Sequence, residues 1–429
     1  MTPFNRKLIY FILLYTCIEG LVINITFPSK IGYIAKDVLI VASLCLLLLD
    51  NQGQPFGSLS RIQMPLMTFA FVQVAYLVMA GDMPFLAKLV GLKMRLLYIP
   101  AMLLGYRFVR NSMDVYRLVA VLAIAAIPVS IFGIYLYFAG PSALAAIGGT
   151  YSAVIHSTTG VWRVPGTFNS PGQYGLYLMF NSVIVTGLLL TPGLTLRFRA
   201  ILWTSLALMT LAVMVSGSRS PLILSVAGAG LVLLGTGRFG RVVSMGVGLY
   251  VVFAIGFATF GAGVADRVGS IASMEHVERF RSTYFGQMFM STMLETPMGL
   301  GLGTATIGAR HFSEFNEIIL IESYFGVVSL ETGVLGFLTL LLAMISILAF
   351  VVKARPLMRA APVASMWFAL AAFVAIALLL SPVSTPLDSA PGNFYFWFSL
   401  GIVAKLYDIE RWGRAASLTA LGPFEGRAA

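Results

Sequence analysis

Charged residues are scarce in this sequence. Asp, Glu, Lys and Arg together make up only 10% of the 429 residues, whereas a soluble globular domain carries roughly 25%. Hydrophobic residues make up 59% of the chain, and the mean hydropathy is +0.90. This composition excludes an ordinary soluble domain and indicates a chain that lies largely in lipid.

Signals for metal binding and for cleavage are also missing. The two cysteines, Cys17 and Cys45, have no Cys or His neighbour at ligand spacing, so we interpret them as packing residues and predict no metal site. The apolar run that follows the first seven residues has no small-residue cleavage site, which predicts an uncleaved first span.

Long apolar runs dominate what is present. Many have about 17 residues or more, which is enough to cross about 30 Å of hydrocarbon as a helix, and a helix satisfies its own backbone hydrogen bonds in lipid. The sequence therefore predicts an all-α polytopic membrane bundle of about twelve transmembrane helices, with residues 1–429 as a single integral membrane domain. The predicted spans are 7–27, 31–49, 63–80, 84–106, 115–138, 172–191, 199–216, 219–235, 242–263, 321–352, 363–381 and 392–407.

Basic residues predict the orientation of the spans. With the N-terminus inside, most of the 28 Lys and Arg residues lie in the short cytoplasmic loops or at the span ends beside them, as the positive-inside rule requires. Both termini are then cytoplasmic, and the two long loops, 139–171 and 264–320, lie outside. The net charge of +11 is therefore a topology signal, and we predict no nucleic-acid partner.

Several charged residues fall inside predicted spans. Arg95 lies near the middle of span four, where its side chain must face protein, water or an anionic ligand. Lys36 and Asp37 of span two are predicted to pair with each other or with Glu19 of span one.

Two outer turns place an arginine beside the start of a helix. Arg163 precedes the turn pair Pro165–Gly166 and a helix-start signal at Asn169–Pro171, so it is held above span six, where it could also contact lipid headgroups. Arg219 follows Ser218 in the tight turn between spans seven and eight. Helix amides, hydroxyl groups and a guanidinium group together are typical of a phosphate cradle.

The second long loop carries further candidates. Apolar residues recur at steps of three and four over residues 271–294, which predicts an amphipathic helix at the outer membrane face, with Arg281 on its apolar stripe. His311 follows, although a lone histidine is more often a loop residue than a catalyst. Glu322, just before Tyr324 at the start of span ten, is either a helix cap or a general base.

Four patterns together resemble the superfamily of O-antigen ligases and Wzy-type polymerases of bacterial envelopes. They are Arg163-Val-Pro-Gly-Thr-Phe-Asn-Ser-Pro171, Ser216-Gly-Ser-Arg-Ser220, Arg281 with the later Pro297-Met-Gly-Leu-Gly301, and Glu322-Ser-Tyr-Phe325 with Glu331-Thr-Gly-Val-Leu-Gly336. Each pattern is weak alone, but their order, spacing and shared outer placement make the set specific.

The resemblance implies a metal-independent, cofactor-free glycosyltransferase in the bacterial inner membrane. Its donor would be an undecaprenyl-pyrophosphate-linked glycan on the periplasmic side, and its acceptor a glycan or the lipid A core, both reached among membrane lipids. Arg219, Arg281 and Glu322 would be catalytic. The implied substrate-binding residues are Arg163, Arg95, Ser218, Tyr324 and His311.

Two alternatives stay open beside a polymerase of O-antigen or exopolysaccharide units. Ligases of this superfamily typically carry a histidine where this chain has Glu322, which favours a polymerase over a ligase that transfers to lipid A core or protein. A twelve-span transporter is disfavoured because no internal repeat is visible and the two halves of the chain differ.

Overall fold

The computed structural model describes residues 1–26, 31–50, 56–79, 83–146, 162–237, 239–260, 278, 290, 292–306, 308–309, 319 and 321–420. Within these residues the fold is helical throughout, without a β-strand, as predicted. The helices are α1 (Pro3–Thr16), α2 (Glu19–Thr26), α3 (Ile31–Leu49), α4 (Ser60–Val78), α5 (Phe85–Leu96), α6 (Ala101–Phe108), α7 (Ser112–Ala146), α8 (Pro171–Leu189), α9 (Leu196–Ser216), α10 (Arg219–Thr236), α11 (Phe239–Phe260), α12 (Thr292–Glu295), α13 (Tyr324–Arg359), α14 (Ala364–Leu380) and α15 (Gly392–Ala420).

Each predicted span overlaps at least one of these helices, but fewer of the helices are long and apolar enough to cross a membrane. Six segments of the described chain meet that requirement, or seven if the bent pair of α1 and α2 is counted as one span. The six are Gly57–Val78, Phe85–Phe108, Ser112–Ala146, Leu196–Ser216, Arg219–Thr236 and Tyr324–Arg359. The count of twelve therefore stays a prediction. Most of the loop 264–320, including the amphipathic helix predicted over 271–294, lies outside the described residues.

The helices α8 and α15 do not meet the requirement of length and apolar composition, and much of each lies in the interior. Residues 174–190, which include nearly all of α8, are buried, and so are residues 392–404 of α15. A helix that is buried on every side has no lipid-facing surface, so it tolerates polar residues such as Asn181 and Asn393. Glycines let α15 approach α6 closely, because a Cβ on Gly105 or Gly401 would clash with the facing backbone.

Asp114 and Asp408 join several helices at one end of the bundle. Arg6 of α1 pairs with Asp114 at the start of α7 at 2.5 Å. Asp408 of α15 accepts hydrogen bonds from the Tyr106 hydroxyl at 2.8 Å and from the backbone N–H of Ser58 at 2.9 Å. We call this the basic end. Arg6 belongs to the residues predicted to border the cytoplasm, and the orientation of the bundle stays a prediction.

A buried ion pair joins α2 to α3, and a partly buried one joins α3 to α5. Lys36 Nζ lies 2.9 Å from Glu19 Oε1, which confirms one of the predicted pairings. Asp37 pairs instead with Lys93, at 2.7 Å, and also accepts a hydrogen bond from the Tyr98 hydroxyl. Glu19 and Asp37 therefore balance the charges of Lys36 in α3 and Lys93 in α5.

Candidate functional site

The turn before α8 packs against the turn between α9 and α10. The backbone N–H of Val164 donates to the Val215 carbonyl at 3.3 Å. Arg163 donates through Nη2 to the Ser218 hydroxyl at 3.1 Å and through Nε to the Ser216 carbonyl at 3.4 Å. The first two sequence patterns therefore meet in space, and Arg163 lies beside the turn that carries Arg219.

The α9–α10 turn is tight for a local reason. Gly217 ends α9 with φ of 60°, a left-handed conformation that glycine adopts without steric cost. Ser218 precedes the first residue of α10, and its hydroxyl donates to the Pro171 carbonyl at 3.0 Å while it accepts from Arg163. Ser218 thus holds Arg163 and the start of α8 in place, and its predicted contact with substrate stays a prediction.

Glu322 completes this group of charges. Arg163 interacts electrostatically with both Glu322 and Arg219. Burial lowers the pKa of the Arg163 guanidinium, Glu322 raises it, and Arg219 lowers it further; a guanidinium group nevertheless stays protonated in proteins. Arg163 and Arg219 are partly buried and Glu322 is exposed. We call the end of the bundle where these three residues lie the site end.

Glu322 is not the N-cap of α13. The cap is Ser323, whose hydroxyl oxygen accepts a hydrogen bond from the backbone N–H of Gly326 at 3.1 Å. The carboxylate of Glu322 therefore remains on the surface one residue before the cap, which is a position compatible with a general base.

Arg95 lies in a different, interior cluster. Its Nη2 lies 3.0 Å from Glu331 Oε2 and its Nη1 lies 2.9 Å from Asp388 Oδ1, and the side chains of Arg95 and Glu331 are both 0% exposed. The guanidinium carbon lies 5.1 Å from the centre of the Tyr324 ring. Two residues predicted to bind substrate, Arg95 and Tyr324, are thus brought together, but they contact each other and two buried carboxylates.

Sequence reasoning missed the two carboxylates that neutralise Arg95. Glu331 was visible within a predicted span, where an acidic side chain calls for a cationic partner. Asp388 lies in the loop between α14 and α15 and carried no comparable signal. Burial raises the pKa of Asp388 to about 6, with Glu331 adding to the rise and Arg95 opposing it.

Glu331 also holds the segment 297–306 of the second long loop. Its Oε1 accepts hydrogen bonds from the backbone N–H of Ala305 at 3.0 Å and from the Thr306 hydroxyl at 2.8 Å. The N–H of Val334 donates to the Pro297 carbonyl at 2.9 Å. The Pro297–Gly301 pattern and the Glu331–Gly336 pattern therefore form one packed unit.

A small crevice lies beside α10. Its cavity volume is about 20 Å³, and it lies between α8, α9, α10 and α11. Its α10 wall includes Leu222, Val226 and Ala229, which follow Arg219 at helical spacing and so lie on one face below it. The hydroxyls of Thr186, Thr210 and Ser225 on the walls donate to carbonyls of their own helices, so the crevice presents a mainly apolar surface.

The remaining predicted site residues, Arg281 and His311, lie outside the described residues. In the part of the chain that the structure describes, no group of three or more His, Cys, Asp or Glu side chains is arranged to hold a metal ion.

Comparison with known proteins gives no family assignment. No family model matches the chain, and no curated protein matches its sequence. The resemblance to O-antigen ligases and polymerases therefore stays a prediction, carried by the four patterns alone.

Proposed function

We propose that this chain transfers a glycan from an undecaprenyl-pyrophosphate carrier to a sugar hydroxyl, and thereby polymerises O-antigen or exopolysaccharide repeat units on the periplasmic side of a bacterial inner membrane. One observation carries the proposal. Arg163, Arg219 and Glu322, which are far apart in sequence, meet at one end of an apolar helical bundle.

The three side chains match the needs of the reaction. The oxygen of the acceptor hydroxyl attacks the anomeric carbon, the bond from that carbon to the pyrophosphate oxygen breaks, and its electron pair leaves with the pyrophosphate. Arg163 and Arg219 stabilise the departing negative charge, for which a planar guanidinium fork is well suited. The Glu322 carboxylate takes the proton of the hydroxyl.

The exposed apolar surface of α10 supports a lipid-linked donor. A polyprenyl pyrophosphate has a charged head joined to a long apolar chain. On this chain Arg219 is followed along α10 by the exposed apolar side chains of Ile223, Val226 and Leu234. Head and tail would thus be accommodated by consecutive parts of the same helix.

A polymerase is preferred to a ligase because Glu322 occupies the position at which ligases of the superfamily typically have histidine. The two products differ, since a polymerase gives a ladder of repeat units on the lipid carrier, whereas a ligase moves the glycan to lipid A core or a protein. A transporter would instead move solute across liposomes without turnover of lipid-linked sugar.

The test is polymer formation by purified protein in proteoliposomes that contain a lipid-linked repeat unit. We expect Arg219→Ala and Arg163→Ala to abolish the ladder, and Arg219→Lys to be defective because the bidentate fork is lost. The matched control is Arg414→Ala, which removes a partly buried ion pair with Glu410 in α15 and a hydrogen bond to the Leu357 carbonyl in α13, and which should leave the ladder intact. Normal ladders from both alanine variants of the site would refute the proposal.

A further inference from the structure

Three segments that are distant in sequence meet at Arg95. The guanidinium group joins α5 to Glu331 in α13 and to Asp388 in the loop between α14 and α15, and it lies over the ring of Tyr324. A buried ion cluster of this kind contributes little net stability compared with apolar packing, because its charges must be desolvated. The cluster therefore serves to fix the relative positions of the segments that it joins.

Glu331 connects Arg95 to the segment 297–306. One of its carboxylate oxygens binds Arg95 and the other accepts from Ala305 and Thr306. The backbone reinforces this contact, since the N–H of Gly301 donates to the Glu331 carbonyl at 3.0 Å. A change at Glu331 is therefore transmitted to this segment of the second long loop.

Tyr324 connects Arg95 to the site end. Its backbone N–H donates to the carbonyls of Ser381 and Ser384, at 2.9 and 3.0 Å, while its ring contacts Arg95. Glu322 lies two residues before Tyr324. The first turn of α13, and with it the carboxylate of Glu322, is thus fixed by the loop that also supplies Asp388.

We propose that Arg95, Glu331 and Asp388 form an ionic brace, a set of positioning residues that holds Glu322 and the segment 297–306 in register with the guanidinium groups of the site. The brace replaces the predicted role of Arg95 in binding substrate, since both of its terminal nitrogens already contact carboxylates. Its catalytic consequence rests on the proposed glycosyl transfer, whereas its mechanical role does not.

The mechanical role is tested by hydrogen–deuterium exchange in the purified full chain. Glu331→Gln preserves an oxygen for Ala305 and Thr306 but presents an amide donor to Arg95, and Arg95→Lys keeps the charge without the fork. We expect amide exchange in the segments 299–306 and 330–334 to become about tenfold faster or more in both variants, because local opening is easier. Arg6→Lys, the same substitution in an ion pair at the basic end, should leave both segments unchanged.

The catalytic role is tested by steady-state kinetics of the same variants. We expect kcat to fall by about 10- to 100-fold, the effect of a small misplacement of a reacting group, with KM for the lipid-linked donor unchanged because Arg163 and Arg219 are untouched. A merely structural role would lower the amount of folded protein without this split between kcat and KM.

The outcomes separate the two ideas. Unchanged exchange in both brace variants overturns the brace, and faster exchange with normal kcat overturns its positioning role. Absence of transfer by the unaltered protein refutes the proposed function, and the exchange data then still decide the mechanical role. If the ionic variants fail to fold, Thr306→Val removes a single hydrogen bond to Glu331 and must give the same change, confined to 299–306; no change there also overturns the brace.

Discussion

Asp388 provides a quantitative test of the charge balance in the interior cluster. Two carboxylates share one guanidinium group, so the cluster carries an excess negative charge when both are ionised. Asp388→Asn removes that excess charge while it preserves an oxygen that can accept from Arg95. The perturbation therefore changes charge with almost no change in shape.

The magnitude follows from the raised pKa of Asp388. Burial raises it from 3.8 to about 6, and its side chain is only 5% exposed, so solvent screening is small. A difference of roughly two pKa units corresponds to about 3 kcal/mol, since one unit is about 1.36 kcal/mol. The folded protein binds this proton more tightly than the unfolded chain. The stabilisation is therefore complete below pH 3.8 and is lost as the pH rises through about 6.

Two measurements check this prediction. Infrared difference spectra between the unaltered protein and Asp388→Asn should show the carbonyl band of a protonated carboxylic acid that disappears with a midpoint at about pH 6. Unfolding in detergent should show that the unaltered protein loses up to about 3 kcal/mol more than the variant as the pH rises from about 4 to about 8. A midpoint near the ordinary value for aspartate, or parallel stability curves, would refute the reasoning.

Two further predictions concern the start of α13 and its kink, which lies at Gly333, where the backbone leaves the helical conformation. Gly333→Ala should lower the unfolding temperature, with a loss of about 1–3 kcal/mol, because Gly333 has φ of 60° and an added Cβ would lie 2.8 Å from the backbone N of Gly299; an unchanged unfolding temperature would contradict the described kink. Ser323→Ala should cost about 1 kcal/mol through loss of the helix cap, whereas the control Ser346→Ala, whose hydroxyl bonds only within α13, should have little effect, and equal effects of the two would contradict the capping role.

The positions of helices could be read from the sequence, because apolar length and turn residues are local signals. The predicted span 31–49 has the same bounds as α3, and 219–235 differs from α10 by one residue. The contact between Arg163 and the Ser216–Ser220 turn was implied only by shared placement at the outer ends of spans. Local patterns therefore named the residues of the two turns but not the hydrogen bonds between them.

Contacts between residues far apart in the sequence could not be predicted from local patterns. The partners of Arg95 are 236 and 293 residues away from it, and no periodicity in one helix identifies a partner at that separation. The bend of 71° between α1 and α2 also depends on a contact with a distant part of the chain. The Thr167 hydroxyl donates to the Cys17 carbonyl at the bend and the Thr167 carbonyl accepts from Leu21, so a distant turn stabilises the break.

The burial of α15 has a consequence for the order in which the protein is assembled. Tyr395 of this helix forms hydrogen bonds with Leu13 and Thr16 of α1, and Gly401 packs against Met102 of α6. Chains fold largely from the N-terminus during synthesis, yet these early helices acquire their partner only after every other described helix has left the ribosome. Their inner faces must therefore remain covered by lipid or by an insertion factor until α15 enters, which makes that late step a point of vulnerability in biogenesis.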